Sequence, residues 1–379
     1  MGVGSPYERA SVTSPRQDEV VAAIQSVVDP LFGKPMLALG LVSGVQVSDG
    51  RVSLRFRLCA PSEPYKRDVE AALRAAVARA GASELAIDWD LQVPTRDTTG
   101  EDPAPGVRNV VLVMSGKGGV GKSTCAVNLA MALARAGAKV GLLDADIYGP
   151  SIPTMLGVNE HPQSKDGVSI SPVERFGLKL MSIGFLLDDP KSAVVWRGPM
   201  LHGALGQFLK DVDWGKLDYL LVDLPPGTGD VALSLAQRIR VTGVVMVTTP
   251  QEVALQDVYK AVSMCKKLNL KILGVVENMS WFIDSAGVRH ELFGRGGGAK
   301  IAEASDAPLL GQIPLEPTVR ERGDEGTPIV HAAPGSTAGV AFAEIAEAVA
   351  TTIALLHFER TGGTKVPDAE GPTRLKIVR

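Results

Sequence analysis

The stretch that decides the fold is SGKGGVGKST, Ser115–Thr124. From Gly116 to Ser123 it follows the pattern Gly, four residues, Gly-Lys-Ser. In such a loop the glycines leave backbone N–H groups free to point at phosphate oxygens, and the positive end of the next helix adds to them. NVVLVMS, just before it, is an apolar run that reads as a buried strand, and CAVNLAMALARAG, just after it, reads as a helix. Strand, loop, helix is the context in which the pattern means phosphate binding. The expected ligands are ATP and Mg²⁺. Gly116, Lys117, Gly118, Gly119, Val120 and Gly121 form the cradle. Lys122 is expected to neutralise the β and γ phosphates, Ser123 to bind Mg²⁺ through its hydroxyl, and Thr124 to hydrogen-bond another phosphate. Lys117 is surplus to this scheme, because an ordinary phosphate loop needs only Lys122.

Two further strand ends carry carboxylates. LLDADIYGPS places Asp144 and Asp146 at the carboxyl end of a strand, where ligands meet an α/β sheet. Residues two apart face the same ligand only if the strand has already broken into loop. Asp144 is a candidate for a Mg²⁺-bound water and Asp146 for orienting the attacking water; helix capping or a turn suits either residue as well. YLLVDLPPGTGD has four apolar or aromatic residues and then Asp223, the pattern of a Walker B aspartate acting on Mg²⁺ through water. Pro225, Pro226, Gly227 and Gly229 after it make a stiff loop suited to sensing a γ-phosphate.

Around this centre the chain divides. Its 379 residues exceed one ordinary core. Residues 1–17 read as a polar tail and 18–93 as a small α+β unit, with a helical pattern from Asp18 to Val28. Two strands, LALGLVSGVQV and RVSLRFRLCA, then meet at Asp49-Gly50, followed by a helix from about Lys66 to Ala80 and a strand near LAIDWDLQV. Residues 94–107 read as a linker and 358–379 as a flexible tail. Residues 108–357 alternate strand and helix. The expected fold is therefore α/β, a mainly parallel sheet with helices on both faces, preceded by a small α+β domain.

The formal net charge of −3 does not advertise a nucleic-acid-binding surface. From sequence, no apolar run reaches the roughly 20 residues of a membrane span, the N-terminus has no signal core, and Pro6 breaks the myristoylation pattern. The expectation is a cytoplasmic protein with neither nucleic acid nor membrane as partner. Cys59, Cys125 and Cys265 are far apart and form no metal-type spacing, so they read as buried thiols.

The pair Lys117 and Lys122 in KGGVGKST resembles the deviant Walker A motif of the ParA, MinD and nitrogenase iron-protein superfamily. DADIYGPSIP, VVWRGPM, DLPPGTGD, TTPQEVAL, VVENMS and GQIPLEPTVR together resemble the Mrp, or ApbC, family, from about Asn109 to Leu356. DPLFGKPMLALGLV and the hairpin after it resemble the small domain that precedes many of these ATPases and is related to iron–sulfur assembly factors. The resemblance implies a homodimeric ATPase in which Lys117 reaches the partner's nucleotide. It also implies iron–sulfur apoproteins or assembly factors as partners, and Asn278 near the adenine, a position that equally suits a strand-end cap.

Two departures bear on the cluster. The family usually has a CxxC pair after ENMS-x-F, from which two subunits supply four thiolates. Here the stretch is ENMSWFIDSAGVRHELFG, without cysteine. Asp284 and His290 are a poor replacement, and no Fe–S ligands are found. In the front domain the family's APxCP segment reads APSEP, with Glu63 in place of the cysteine. Two other readings remain: a nucleotide-switched scaffold that holds no cluster, and a MinD- or ParA-like spatial regulator. The regulator lacks support from the tail, which is broken by Gly and Pro and shows no amphipathic stripe.

Overall fold

A computed structural model of the chain describes residues 15–97, 102–164, 167, 169–186 and 198–367. Trp196 and Arg197 of the WRGPM motif, and most of both termini read as tails, lie outside these. The chain forms two compact units, one up to Gln92 together with Phe358–Val366, the other from Val93 to His357.

In the first unit α1 (Gln17–Gln25), β1 (Val42–Ser48), β2 (Arg51–Leu58), α2 (Glu63–Arg79) and β3 (Glu84–Leu91) follow in order. β1 and β2 pair antiparallel around Asp49-Gly50. Both turn residues have positive φ, 50° and 74°, which a two-residue hairpin of matching twist requires and which Asp-Gly supplies cheaply. β2 and β3 run parallel, with α2 as the crossover. Alternation in β2 buries Val52, Leu54, Phe56 and Leu58. From sequence the first strand begins at Leu37. The chain instead turns there, with Gly40 at φ 67° and the Leu41 N–H donating to the Met36 carbonyl at 3.0 Å. Of the tail read from residue 358, Phe358 stacks 4.8 Å from Phe32, and the Val366 carbonyl accepts from Arg57 Nη2 at 2.9 Å.

The second unit contains β4 (Val110–Ser115), α3 (Lys122–Arg135), β5 (Val140–Asp144), α4 (Ile152–Met155), β6 (Val173–Arg175), β7 (Leu178–Ser182), α5 (Gly198–Lys210) and β8 (Tyr219–Asp223). It continues with α6 (Asp230–Arg238), β9 (Gly243–Thr248), α7 (Glu252–Lys267), β10 (Ile272–Glu277), β11 (Phe282–Ile283), β12 (Arg289–His290), α8 (Gly297–Ser305) and β13 (Leu309–Gln312). Last come α9 (Pro317–Asp324), α10 (Ile329–Ala332) and α11 (Thr337–Arg360), of which the residues up to His357 belong to this unit.

The sheet order is β13-β10-β9-β4-β8-β5-β7-β6. Every neighbouring pair is parallel except β6–β7. All residues of β4, β5, β8, β9 and β10 are buried, as strands covered by helices on both faces must be. Sequence pattern shows these five but not β6, β7 and β13. Those are three to five residues long and lie toward the sheet's edges, where little apolar signal is needed. α11 is long and apolar enough to cross a membrane by length and composition, contrary to the expectation of no such run. Its Ala338, Phe342, Ile345, Val349 and Ile353 are nevertheless buried inside the protein.

The stretch read as a linker packs on this unit. Arg96 is buried and pairs with Asp102 at 2.7 Å, Asn109 Nδ2 donates to the Pro94 carbonyl at 2.9 Å, and a Cβ on Gly106 would lie 2.0 Å from the Gly215 carbonyl oxygen. Gly106→Ala is therefore expected to destabilise the second unit by about 1–3 kcal/mol through overpacking, read as a lower urea midpoint. A free linker at this position would leave the midpoint unchanged.

Candidate functional site

The phosphate loop lies between the end of β4 and the start of α3, at the centre of the sheet. Its shape is enforced from two sides. A Cβ on Gly116 would lie 2.2 Å from the Val258 nitrogen of α7, so the loop is pressed against that helix. Gly121 has φ 80°, and its missing Cβ would fall 2.2 Å from Asn278 Nδ2. The loop and its surroundings enclose a cavity of about 190 Å³, lined among others by Lys117, Gly118, Gly119, Ser123 and Thr124. The N-terminus of α3 opens onto it, a natural anion site.

Lys122 is buried, with 6% of its side chain exposed. Its Nζ lies 2.6 Å from Asp223 Oδ1 and 3.4 Å from Asp146 Oδ2. The Ser123 hydroxyl donates to Asp223 Oδ2 at 2.5 Å. The neighbouring strands β4, β8 and β5 thus bring together Lys122, Ser123, Asp223 and Asp146. Asp144 joins them differently. Its carboxylate accepts the backbone N–H groups of Asp146 and Ile152, each at 3.2 Å, and the Ser182 hydroxyl at 3.0 Å. It therefore braces the loop after β5 and the start of α4. Burial, and next the charge of Asp223, push its pKa up to about 7. Burial raises Asp223 as well, against the opposing pull of Lys122.

Lys117 behaves otherwise. Its side chain is exposed, and among the described residues its ammonium has no ion pair or hydrogen bond. Its backbone carbonyl is fixed by the Ser115 hydroxyl at 3.0 Å, so the loop holds the residue while the charge faces outward.

A second cavity of about 270 Å³ adjoins the first and shares Gly121, Thr124 and Met155 with it. Val127, Met279, Pro314, Leu315 and Val319 give it apolar walls, suited to a flat heteroaromatic base. Sequence reasoning missed all of these residues, although GQIPLEPTVR stood out as a motif; they come from α3, α9 and the segments after β10 and β13, and no local pattern joins them. Asn278 lines this cavity, but its amide is engaged. Nδ2 donates to the Val120 carbonyl at 2.9 Å, and its backbone N–H donates to Thr248 at 2.8 Å. Asn278 thus ties the end of β10 to the phosphate loop, and its Oδ1 is the atom left to meet a ligand.

No group of three metal-ligating side chains exists among the described residues. All three cysteines are buried. Burial raises each thiol, Cys59 to about 12 and Cys265 to about 11, and Cys125 as well. After ENMS the chain forms the β11–β12 hairpin, closed by His290 Nε2 and Asp284 Oδ2 at 2.7 Å and by Arg289 stacked 4.1 Å over Trp281. The hydrogen bond to His290 comes first among the influences holding the Asp284 carboxyl below its usual range. Glu63 lies in the first turn of α2, where Ser62 caps the helix through the Tyr65 N–H at 3.3 Å.

A parallel sheet with a glycine loop between its central strand and a helix, two carboxylates on the loop lysine and an apolar cavity beside it define a P-loop NTPase. Comparison with known proteins narrows the class. A family model for the ParA-type NUBPL iron-transfer P-loop NTPase matches residues 106–350, and a model for iron–sulfur cluster assembly proteins matches residues 17–84. The iron–sulfur cluster carrier protein of Deinococcus radiodurans is 45% identical over 341 residues, 89% of this chain and 96% of that one. The Escherichia coli K12 protein of the same description is 51% identical over 273 residues, 71% of this chain and 74% of that one. Among solved structures, an ADP-bound nucleotide-binding protein from Archaeoglobus fulgidus aligns with a TM-score of 0.52 at 40% identity, covering 58% of this chain and 87% of that one. The chain belongs to the NUBPL-type iron-transfer P-loop NTPase family.

Asn278→Asp replaces the donor to Val120 with an acceptor and sets two oxygens against each other. Nucleotide affinity is expected to fall about tenfold, the effect of losing one buried hydrogen bond at a binding loop, with the circular dichroism spectrum unchanged. Titration with a fluorescent ADP analogue checks this, and unchanged affinity would remove the tie as a determinant of loop shape.

Proposed function

We propose that this chain is a homodimeric, cytoplasmic ATPase acting in iron–sulfur cluster assembly or transfer to apoproteins. The observation that carries the ATPase part is the contrast between its two loop lysines. Lys122 is buried beside two carboxylates, while Lys117 stands exposed, without a partner among the described residues, at the mouth of the same cleft. A cation held outward beside a phosphate site has its natural use on the phosphates of a second copy, as an arginine finger supplied in trans. The family membership and the carrier relatives support the cluster role.

In this reading the backbone from Gly116 to Gly121 and the α3 N-terminus bind the phosphates, and Thr124 adds a hydroxyl. Lys122 leaves Asp223 for the β and γ oxygens. The exchange replaces one buried anionic partner by another, so the ammonium is never left unpaired. Mg²⁺ fits the hydroxyl and carboxylate set at Ser123 and Asp223, with Asp144 behind them, and when bound it neutralises charge on the phosphate oxygens. Asp223, released from Lys122 and Ser123, orients water on the metal side of the site. Asp146, 3.4 Å from Lys122 Nζ, orients the water that attacks the γ-phosphate. Lys117 of each subunit completes the neighbouring site, so hydrolysis follows dimer closure and the dimer opens when the phosphate leaves. Asn278 Oδ1 faces the base.

Lys122→Ala is expected to abolish ATP hydrolysis. Lys117→Ala is expected to bind nucleotide but hydrolyse it slowly, and mixing it with Asp146→Ala is expected to restore part of the activity, since one site of each heterodimer keeps both groups. Heterodimers that form without rescue would assign Lys117 to its own subunit's site.

The buried thiols favour a second reading of the cargo step, a nucleotide-switched scaffold that brings iron–sulfur proteins together and holds no cluster itself. A cluster needs thiolates, and each thiol here is enclosed and raised. Anaerobic reconstitution with iron and sulfide is expected to give far less than one cluster per dimer, with ATP hydrolysis indifferent to iron chelators. A stoichiometric cluster that disappears in Cys59→Ser or Cys265→Ser would establish the carrier instead and show that its ligands have moved.

A further inference from the structure

We propose that Tyr148 is the aromatic anchor of the nucleotide-dependent interface between two copies of this chain. The inference rests on the dimer reading above and gives that dimer its contact residue. Tyr148 is 81% exposed, and no other large apolar or aromatic side chain among the described residues exceeds 59%. A ring so placed gives up the burial that aromatic side chains usually gain. It also stands on a pinned loop. The Tyr148 N–H donates to Asp146 Oδ1 at 3.1 Å, and Asp144 holds the N–H groups of Asp146 and Ile152 on either side. Ile147 packs against the core, and a Cβ on Gly184 would lie 3.1 Å from Pro150 Cβ. The segment from Asp144 to Ile152 is therefore rigid, with Tyr148 at its apex. A rigid, exposed tyrosine loses little conformational freedom when it is covered, which is why such residues dominate binding interfaces.

The occupant follows from charge. The cleft next to the Tyr148 loop is lined by Asp146, Lys122 and Ser123, and bound phosphates make it anionic. Lys117, at the mouth of the same cleft, is a cation with no partner among the described residues. A patch that carries both an anionic cleft and an unpaired cation is complementary to itself, as a two-fold interface requires. Asp146 also joins this loop to the phosphate site, its Oδ1 holding the Tyr148 N–H and its Oδ2 lying 3.4 Å from Lys122 Nζ.

Sedimentation velocity of the full chain, with Mg²⁺ and a non-hydrolysable ATP analogue, tests the proposal. The wild type is expected to dimerise, and Tyr148→Ala to raise the dimer dissociation constant by about 30-fold, the worth of a central aromatic anchor. Tyr148→Phe, which keeps the ring, is expected to stay within about threefold of wild type, since the hydroxyl is not the anchor. A fluorescent ADP analogue is expected to bind monomeric Tyr148→Ala as it binds monomeric wild type, because the Asp146 bond is to backbone. Tyr148→Ala that dimerises like wild type, Tyr148→Phe that fails like alanine, or lost ADP binding would each overturn the anchor while leaving the dimer intact. A wild type that stays monomeric would remove the dimer reading itself and the anchor with it.

Discussion

The arrangement of the second unit depends on one buried charge. Lys122 is a buried ammonium paired with Asp223 and Asp146, and its 2.6 Å contact with Asp223 is the closer of the two. Two unit charges about 4 Å apart attract by roughly 4 kcal/mol at the effective dielectric of a protein site. Removing either partner leaves an uncompensated buried charge, which costs more than the pair is worth. The sheet order serves this pair: β8 lies beside β4 and β5 beside β8, which brings Asp223 and the loop carrying Asp146 to the ammonium.

The rest of the site serves to hold the loop that presents Lys122. α7 presses on Gly116, and Asn278 fills the space where Gly121 lacks a side chain. These contacts reach the loop from β10 and α7, on the side of β4 away from the carboxylates. The loop is thus fixed from one flank and charged from the other. Lys117 escapes both constraints, and its side chain is exposed; this exposure is what the proposed role on a second copy rests on.

The fold was legible because its signals are local. The glycine pattern at Gly116–Ser123, the aspartates at the ends of apolar runs and the Asp49-Gly50 turn each state their geometry within a few residues. The short strands β6, β7 and β13 were not legible, since their pairing is decided by neighbours distant in sequence. The apolar cavity was invisible for the same reason: Val127, Met155 and Leu315 come from three separate segments. Asn278 showed the limit most clearly. It lines the apolar cavity, but its amide is committed to Val120, a bond across 158 residues that no spacing announces. The packing of 94–107 was hidden by a polar composition that looks like linker while Arg96 and Asp102 pair inside the protein.

If Lys117 acts on the phosphates of a second copy, one copy of the chain does not complete its own hydrolytic site. The most direct measurement is specific ATPase activity over a hundredfold range of protein concentration, at saturating Mg–ATP, with the association state followed by light scattering. Activity per mole of chain is expected to fall with the dimer fraction as the protein is diluted. Constant activity per chain, down to concentrations where only monomer remains, would contradict it.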